Sequence, residues 1–246
     1  MVNILKFIEL NKNNIIKKLK EGIESITYVY KEESNYYCLK LFKKQINFSD
    51  HQINVSKEVL ENKRKKIEII NEDPIFFDEV RPIALVYENG EFVGYIMELD
   101  YSKSASFFDK RKKKVEILKK YKEKIEKFNK KGIYVGDISE NNILVFNNGI
   151  KLCDLDNIKI GDLGFDIQNY FQKRYFETYG NIEYIDRYTF NLFTISYLSK
   201  IIPSYIDNYL IEGKLPKPIN SERNFQLIKQ RNYIEDYFID NLREYK

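Results

Sequence analysis

GDISENNILV, residues 136–145, is followed after five residues by KLCDLDN, residues 151–157. Asp137 stands five positions before Asn142, and Asp154 stands twelve positions after Asn142. Asp and Asn often occupy turns, so either aspartate alone is expected to be a turn residue. Carboxylate and amide oxygens are also ligands for Mg²⁺, and a carboxylate beside a hydroxyl group can accept its proton. The joint pattern therefore marks these three residues as candidates for metal and proton chemistry.

Short apolar runs connect the two stretches. ILVF at 143–146 and IKL at 150–152 have the character of strands, and the NNG turn at 147–149 joins them. Such a hairpin would bring Asp154 back beside Asn142. We therefore expect the candidate residues to lie around one site at one end of a hairpin.

Composition narrows the class of protein. The 246 residues, 43% of them hydrophobic, suit one large domain or two small lobes that share a cleft. The net charge of +4, from 41 basic and 37 acidic residues, is too small to indicate a nucleic-acid partner or a membrane surface. We therefore expect neither partner.

Histidine and cysteine usage excludes further classes of site. The single histidine, His51, cannot supply a histidine-based metal site or a Ser/His triad. Cys38 and Cys153 do not indicate a secreted disulfide scaffold. The N-terminal apolar run contains Lys6 and Glu9, so it lacks the core of a signal peptide, and no segment is long enough to span a bilayer. These features predict a cytoplasmic protein.

The pattern of apolar residues predicts an α+β chain that changes character near residue 100. Residues 26–42 and 83–99 each contain two β-rich runs around a polar turn, and residues 56–70 have helical spacing. The first part, 1–99, should therefore be a twisted antiparallel sheet plus one helix. The second part is mainly helical, with helices predicted at 114–131, which Gly132 would end, at 186–202 and at 222–244.

Several stretches resemble motifs of the eukaryotic-like protein kinase family. YVGDISENNILV is similar to the catalytic loop HRDxxxxNILV, and IKLCDLD is similar to the metal-binding segment IKLxDFG. YCLKLF at 37–42 resembles the strand with the phosphate-binding lysine, and YIMELD at 95–100 resembles the hinge. DRYTFNLFTISYL at 186–198 resembles the large-lobe helix whose first aspartate, here Asp186, supports the catalytic-loop backbone. The resemblance covers most of the chain.

The resemblance implies a two-lobed fold with ATP and Mg²⁺ (or Mn²⁺) as cofactors. The small β-rich N-lobe would be residues 1–99, and residues 100–246 would form a helical, shortened C-lobe with the catalytic and metal-binding hairpin. Asp137 would orient or accept the proton of the substrate hydroxyl. Asn142 and Asp154 would hold the metal, and the implied catalytic set is Asp137, Asn142 and the phosphate-binding Lys40.

The resemblance also assigns positions around the nucleotide. Gly22 takes the first glycine position of the phosphate lid, and Val29 would cover the adenine. Met97 would be the gatekeeper, with Glu98 and Leu99 continuing the hinge behind the adenine. A helix glutamate would pair with the phosphate-binding lysine, and the two choices, in order, are Glu61 and Glu58.

The chain departs from the family pattern at several positions. Glu24 and Thr27 occupy two glycine positions of the lid, where a β-carbon hinders close approach of the backbone to phosphate. Val135 and Gly136 replace the His and Arg that precede the catalytic aspartate. Asp156 replaces the glycine of DFG, either as an extra metal ligand or as a structural turn residue.

Three functions stay open at this point. The first is an ATP-dependent Ser/Thr-type protein kinase that acts on a protein substrate. The second is a pseudokinase that serves as an interaction module for a regulatory protein partner, which the altered lid favours. The third is a small-molecule kinase of the aminoglycoside- or choline-kinase-like type, because Gly136-Asp137 resembles the GD of those catalytic loops. The sequence names neither the phosphate acceptor nor an oligomeric state.

Overall fold

A computed structural model describes residues 5–48, 51–99, 103–166, 168, 170–200, 204 and 206–207. The helix expected at 222–244 lies outside these residues. The contacts divide the chain into two compact units, which are Met1–Tyr101 with Cys153–Asp156, and Ser102–Leu152 with Asn157–Lys246. A boundary after residue 99 did not anticipate that the short segment Cys153–Asp156 groups with the first unit.

The described residues contain strands and four α-helices, so the expected α+β class is confirmed. The strands are β1 Lys6–Glu9, β2 Ile15–Glu21, β3 Ser25–Glu32, β4 Asn35–Phe42, β5 Gln45–Phe48, β6 His51–Asn54, β7 Pro82–Glu88, β8 Glu91–Glu98, β9 Lys103–Ser104, β10 Ile143–Phe146 and β11 Gly149–Leu152. The helices are α1 Lys57–Glu72, α2 Arg111–Asn129, α3 Tyr170–Tyr179 and α4 Ile185–Ser199.

The first unit is built on a six-stranded sheet with the order β1-β7-β8-β4-β3-β2. The two hairpins expected from the sequence are β3–β4 and β7–β8, and the second turns at Asn89 and Gly90, both with positive φ. The expectation of an antiparallel sheet is wrong at one edge. There β1 pairs in parallel with β7, so the sheet is mixed.

The two faces of this sheet carry different side chains because a strand alternates its residues between faces. Leu39, Val86 and Ile96 pack in one buried cluster. Leu85 and Tyr95 pack in another with Ile67 of α1. Helix α1 therefore covers the face that carries Tyr95, and the cross-strand partner of Tyr95 is Lys40.

Helix α1 begins and ends at residues that satisfy its terminal backbone groups. The Ser56 hydroxyl accepts a hydrogen bond from the Val59 N–H at 3.2 Å, which caps the N-terminus. At the other end, the Asp73 N–H donates to the Ile69 carbonyl at 2.8 Å. The helix predicted at 56–70 therefore extends to Glu72.

The second unit combines helices with a small three-stranded sheet of order β11-β10-β9. The expected hairpin is formed by β10 and β11, with Ile143 opposite Leu152. Helices α2 and α4 pack through Tyr121, whose ring meets Phe190 and Phe193 edge-on. Gly132 follows the end of α2 at φ +71°, as expected for a stop signal.

None of the helices in the described parts of the chain is long and apolar enough to cross a membrane. The longest is α2, which has 19 residues. Its sequence contains many lysine and glutamate residues, so it lacks the continuous apolar surface that a bilayer core requires.

Candidate active site

Lys40 lies on β4 with its side chain buried, and two carboxylates hold it. Its ammonium group donates hydrogen bonds to Asp154 and to Asp156, which both belong to the segment that groups with the first unit. The residues are 114 and 116 positions away along the chain. The structure thus brings the expected phosphate-binding lysine and the expected metal-binding aspartate together.

The strand beside Lys40 needs a glycine. A β-carbon on Gly94 of β8 would lie 2.0 Å from the carbonyl oxygen of Lys40, far inside any allowed contact. Because β4 and β8 are paired, neither backbone can move away without disturbing the hydrogen bonds between the two strands. Gly94 therefore permits the close approach of β8 to β4 at the lysine, a role for which the sequence holds no local signal.

Asp154 and Asp156 differ in what they can bind. The Asp154 side chain is 45% exposed and its backbone has φ +63°, whereas the Asp156 side chain is 3% exposed. Asp156 Oδ1 accepts hydrogen bonds from Lys40 and from the Tyr95 hydroxyl at 2.9 Å, and Oδ2 accepts one from Lys63 at 3.0 Å. Asp154 is therefore the accessible oxygen donor, while both oxygens of Asp156 are engaged by protein groups.

Neighbouring opposite charges keep the buried side chains of Lys40, Asp156 and Lys63 ionised. Burial disfavours the charged form of Lys40, but Asp154 and Asp156 outweigh it and hold the pKa of Lys40 well above its usual value. Burial likewise opposes ionisation of Asp156, yet Lys40 and Lys63 hold its pKa well below its usual value. Burial also opposes the charge on Lys63, whose pKa is raised by Asp156 and Glu24. The cluster is therefore ionic at neutral pH.

The expected pairing of Lys40 with Glu61 is corrected by the structure. Glu61 is bonded to Arg64 on its own helix, at 2.6 and 2.8 Å, and Glu58 is exposed. The α1 residue that points to the cluster is Lys63. Since each helical residue turns by about 100°, residues 61 and 63 face nearly opposite sides of α1. Lys63 lies four positions before the buried Ile67, so its place on the apolar stripe was visible in the sequence.

We expect Glu61→Gln to change the free energy of unfolding by less than about 0.5 kcal/mol, because its ion pair with Arg64 is partly exposed to solvent and joins two neighbouring residues of one helix. Urea denaturation of the variant and the wild-type chain measures the difference. A loss of several kcal/mol would show that Glu61 supports the buried cluster after all, and would contradict the correction.

The residues expected in the phosphate lid lie at the β2–β3 turn and along β3. Gly22 donates a backbone hydrogen bond to the Ser25 carbonyl at 2.8 Å, and Val29 of β3 lies opposite Cys38. Glu24 forms an ion pair with Lys63 at 3.1 Å. The charge of Glu24, which the sequence suggested would repel phosphate, is thus met by a cation.

The residues expected in the hinge lie at the C-terminal end of β8 and directly after it. Met97 lies opposite Cys38 of β4, Glu98 lies opposite Tyr37, and Leu99 follows the strand. Met97 also packs against the buried cluster around Ile67. These positions put the three residues at the end of the first unit's sheet.

In the second unit, Asp137 and Asn142 lie side by side just before β10. The Asn142 side-chain nitrogen donates to Asp137 Oδ2 at 3.0 Å and to the Asp137 carbonyl at 3.1 Å. Because the nitrogen is used in this way, the amide oxygen is the atom of Asn142 that can serve a cation. The half-buried Asp137 carboxylate is held in place by the same contacts.

The expected support of this backbone by Asp186 is confirmed. Asp186, at the start of α4, accepts hydrogen bonds from the Gly136 N–H at 2.6 Å, the Val135 N–H at 2.9 Å and the Asn129 side chain at 2.7 Å. Burial raises the pKa of Asp186 to about 6, and the three donors oppose that rise. Asp186 is therefore a carboxylate at neutral pH that fixes the two residues before Asp137.

Oxygen ligands suited to Mg²⁺ are present in both units. The Asp154 carboxylate is accessible, and Asn142 has an amide oxygen to offer, which are the hard donors that this ion takes together with phosphate oxygens and water. Within the described residues, no group of three or more His, Cys, Asp or Glu side chains could hold a metal by itself.

The chain matches no protein-family model, and no curated protein matches its sequence.

Proposed function

We propose that this chain is an ATP-dependent phosphotransferase with a two-lobed, protein-kinase-like fold. It would transfer the γ-phosphate of ATP to a hydroxyl group, in the first place a Ser or Thr of a protein substrate. The observation that carries the proposal is the ion pair between Lys40 and Asp154. Phosphoryl transfer needs a cation for the phosphates and a carboxylate for the metal, and this ion pair supports the proposal because it has one of each side by side.

Each residue has a defined task in this proposal. Lys40 would neutralise charge on the α- and β-phosphates. Asp154 and Asn142 would supply oxygen ligands for Mg²⁺, which when bound neutralises charge on the phosphates. Asp137 would orient the acceptor hydroxyl and take its proton, while Asp186 holds the backbone that carries Asp137.

One observation favours a pseudokinase instead. Lys40 is bound by two carboxylates at once, and a nucleotide would have to compete with at least one of them. Asp154 is the exposed partner and Asp156 the buried one, so Asp154 is the partner that could exchange Lys40 for a metal ion. A chain in which this exchange fails would bind no nucleotide and would act through protein contacts alone.

Thermal unfolding with nucleotide and metal tests the proposal. ATP with Mg²⁺ or Mn²⁺ should raise Tm, by an amount equivalent to about 2.7 kcal/mol when ATP is about 100 times above its Kd. Asp154→Asn should remove the part of the shift that needs metal, because it takes away the accessible carboxylate. The exposed Asp162 provides a matched control, and Asp162→Asn should leave the shift unchanged.

The acceptor is tested on the same samples. Intact-mass measurement should show phosphate added to the chain itself or to an offered protein. Transfer to aminoglycosides or choline alone would instead indicate a small-molecule kinase. A Tm that does not move with millimolar ATP and either metal would overturn the proposed function and favour the pseudokinase.

A further inference from the structure

A buried lysine on α1 occupies the side of the helix that meets the candidate site. The Lys63 side chain is 1% exposed, and its ammonium group lies 3.0 Å from Asp156 Oδ2 and 3.1 Å from Glu24. Burying an ammonium group is costly unless carboxylates compensate it. Lys63 is therefore held by ion pairs to two carboxylates, one at the β2–β3 turn and one in the segment that follows β11.

Asp156 links this lysine to the phosphate-binding one. Its Oδ2 accepts from Lys63, and its Oδ1 accepts from Lys40 and Tyr95. All three donors are buried. Because both oxygens already accept from buried donors, the contacts favour the structural role for Asp156 over the metal-ligand role.

The arrangement has a consequence for Lys40. Its other partner, Asp154, is the accessible carboxylate that the proposed function assigns to a metal. If Asp154 held a metal instead, Asp156 would be the carboxylate that stays with Lys40. Lys63 and Tyr95 fix Asp156 from the helix and from β8, so the direction of the Lys40 side chain depends on them.

We propose that Asp156 is the positioning residue for Lys40, and that Lys63 anchors Asp156 to α1. The inference rests on the proposed function and deepens it. The chain thereby takes the carboxylate for its phosphate-binding lysine from the segment after β11, and α1 contributes a cation in place of a carboxylate.

Kinetics separate positioning from binding. Asp156→Asn should lower kcat by about 10- to 100-fold, because a misdirected Lys40 no longer neutralises charge on the α- and β-phosphates during transfer, and should change the KM for ATP by less than about 3-fold. Lys63→Met keeps the length of the side chain without its charge and should lower kcat in the same direction. Lys65→Met places the same change at an exposed position of the same helix and should have no effect.

A double-mutant cycle shows whether Asp156 acts through Lys40. In a Lys40→Met background, adding Asp156→Asn should lower kcat by less than about 2-fold, since the group it positions is gone. A purely structural role would instead give the same loss in both backgrounds. Tyr95→Phe, which removes only a hydroxyl group, repeats the cycle if Asp156→Asn does not fold.

The outcomes distinguish the two proposals. An active wild-type chain whose Asp156→Asn variant loses less than about 3-fold in kcat, or whose loss persists without Lys40, overturns this inference alone. A wild-type chain that transfers no phosphate overturns the proposed function together with the inference.

Discussion

Asp137→Asn should lower the rate of phosphoryl transfer by about 1000-fold while the chain stays folded. The amide that replaces the carboxylate has nearly the same shape, but it cannot take a proton from the acceptor hydroxyl. Its oxygen can still accept the hydrogen bond that Asn142 donates to the side chain. Single-turnover measurements with saturating ATP and Mg²⁺ give the rate.

Nucleotide binding provides the control for the Asp137→Asn variant. Nucleotide binding should be retained, so the Tm shift with ATP and Mg²⁺ should match that of the wild-type chain. Transfer that persists in Asp137→Asn would mean that the acceptor hydroxyl is activated elsewhere, and that the residue assignment is wrong even if the protein is a kinase.

Gly136→Ala should lower the free energy of unfolding by about 2 to 5 kcal/mol and should also impair transfer. Gly136 has φ +69°, where a β-carbon is strained. That carbon would also lie 2.2 Å from the Gln172 side-chain nitrogen and 2.6 Å from the Phe165 ring. Relief of the clash would displace the backbone next to Asp137. Urea denaturation and the transfer assay measure the two effects.

Gly132 offers the matched control for this substitution. It also has a positive φ, +71°, but a β-carbon there would meet no atom within 4 Å. Gly132→Ala should therefore cost only the backbone strain, about 1 to 2 kcal/mol. If both variants lost the same stability, the expected clash of the new β-carbon with Gln172 and Phe165 would not contribute to the loss.

The charges around Lys40 form a different arrangement from the one expected. The sequence suggested a lysine on a strand paired with a glutamate on a helix. The structure instead has a row of alternating charges, in which Asp156 lies between Lys40 and Lys63, and Lys63 also pairs with Glu24. Glu24 and Asp156, which looked like defects in the lid and in the metal segment, are thus the counter-charges of Lys63.

The elements that were predicted well are those with a local signal. The hairpin β10–β11 follows from two short apolar runs around a polar turn, and helix α1 follows from its helical spacing and its Ser56 cap. The contact between Asp137 and Asn142 spans only five residues, so the turn before β10 almost dictates it. Helix α3 was not anticipated, and the parallel pairing of β1 with β7 has no local signal at all.

By itself, the sequence determined the α+β class, the hairpins β3–β4, β7–β8 and β10–β11, three of the four α-helices in the described part of the chain, and the short-range pair Asp137–Asn142. Periodicity, caps and turn residues act over a few positions, so one chain segment is enough to express them. Only the tertiary structure decided that Lys63 rather than Glu61 meets the site, and that Asp156 joins residues 116, 93 and 61 positions away. A buried charge is stable only beside its partners, and a lysine whose partners lie so far along the chain looks like a surface residue until the fold brings them together.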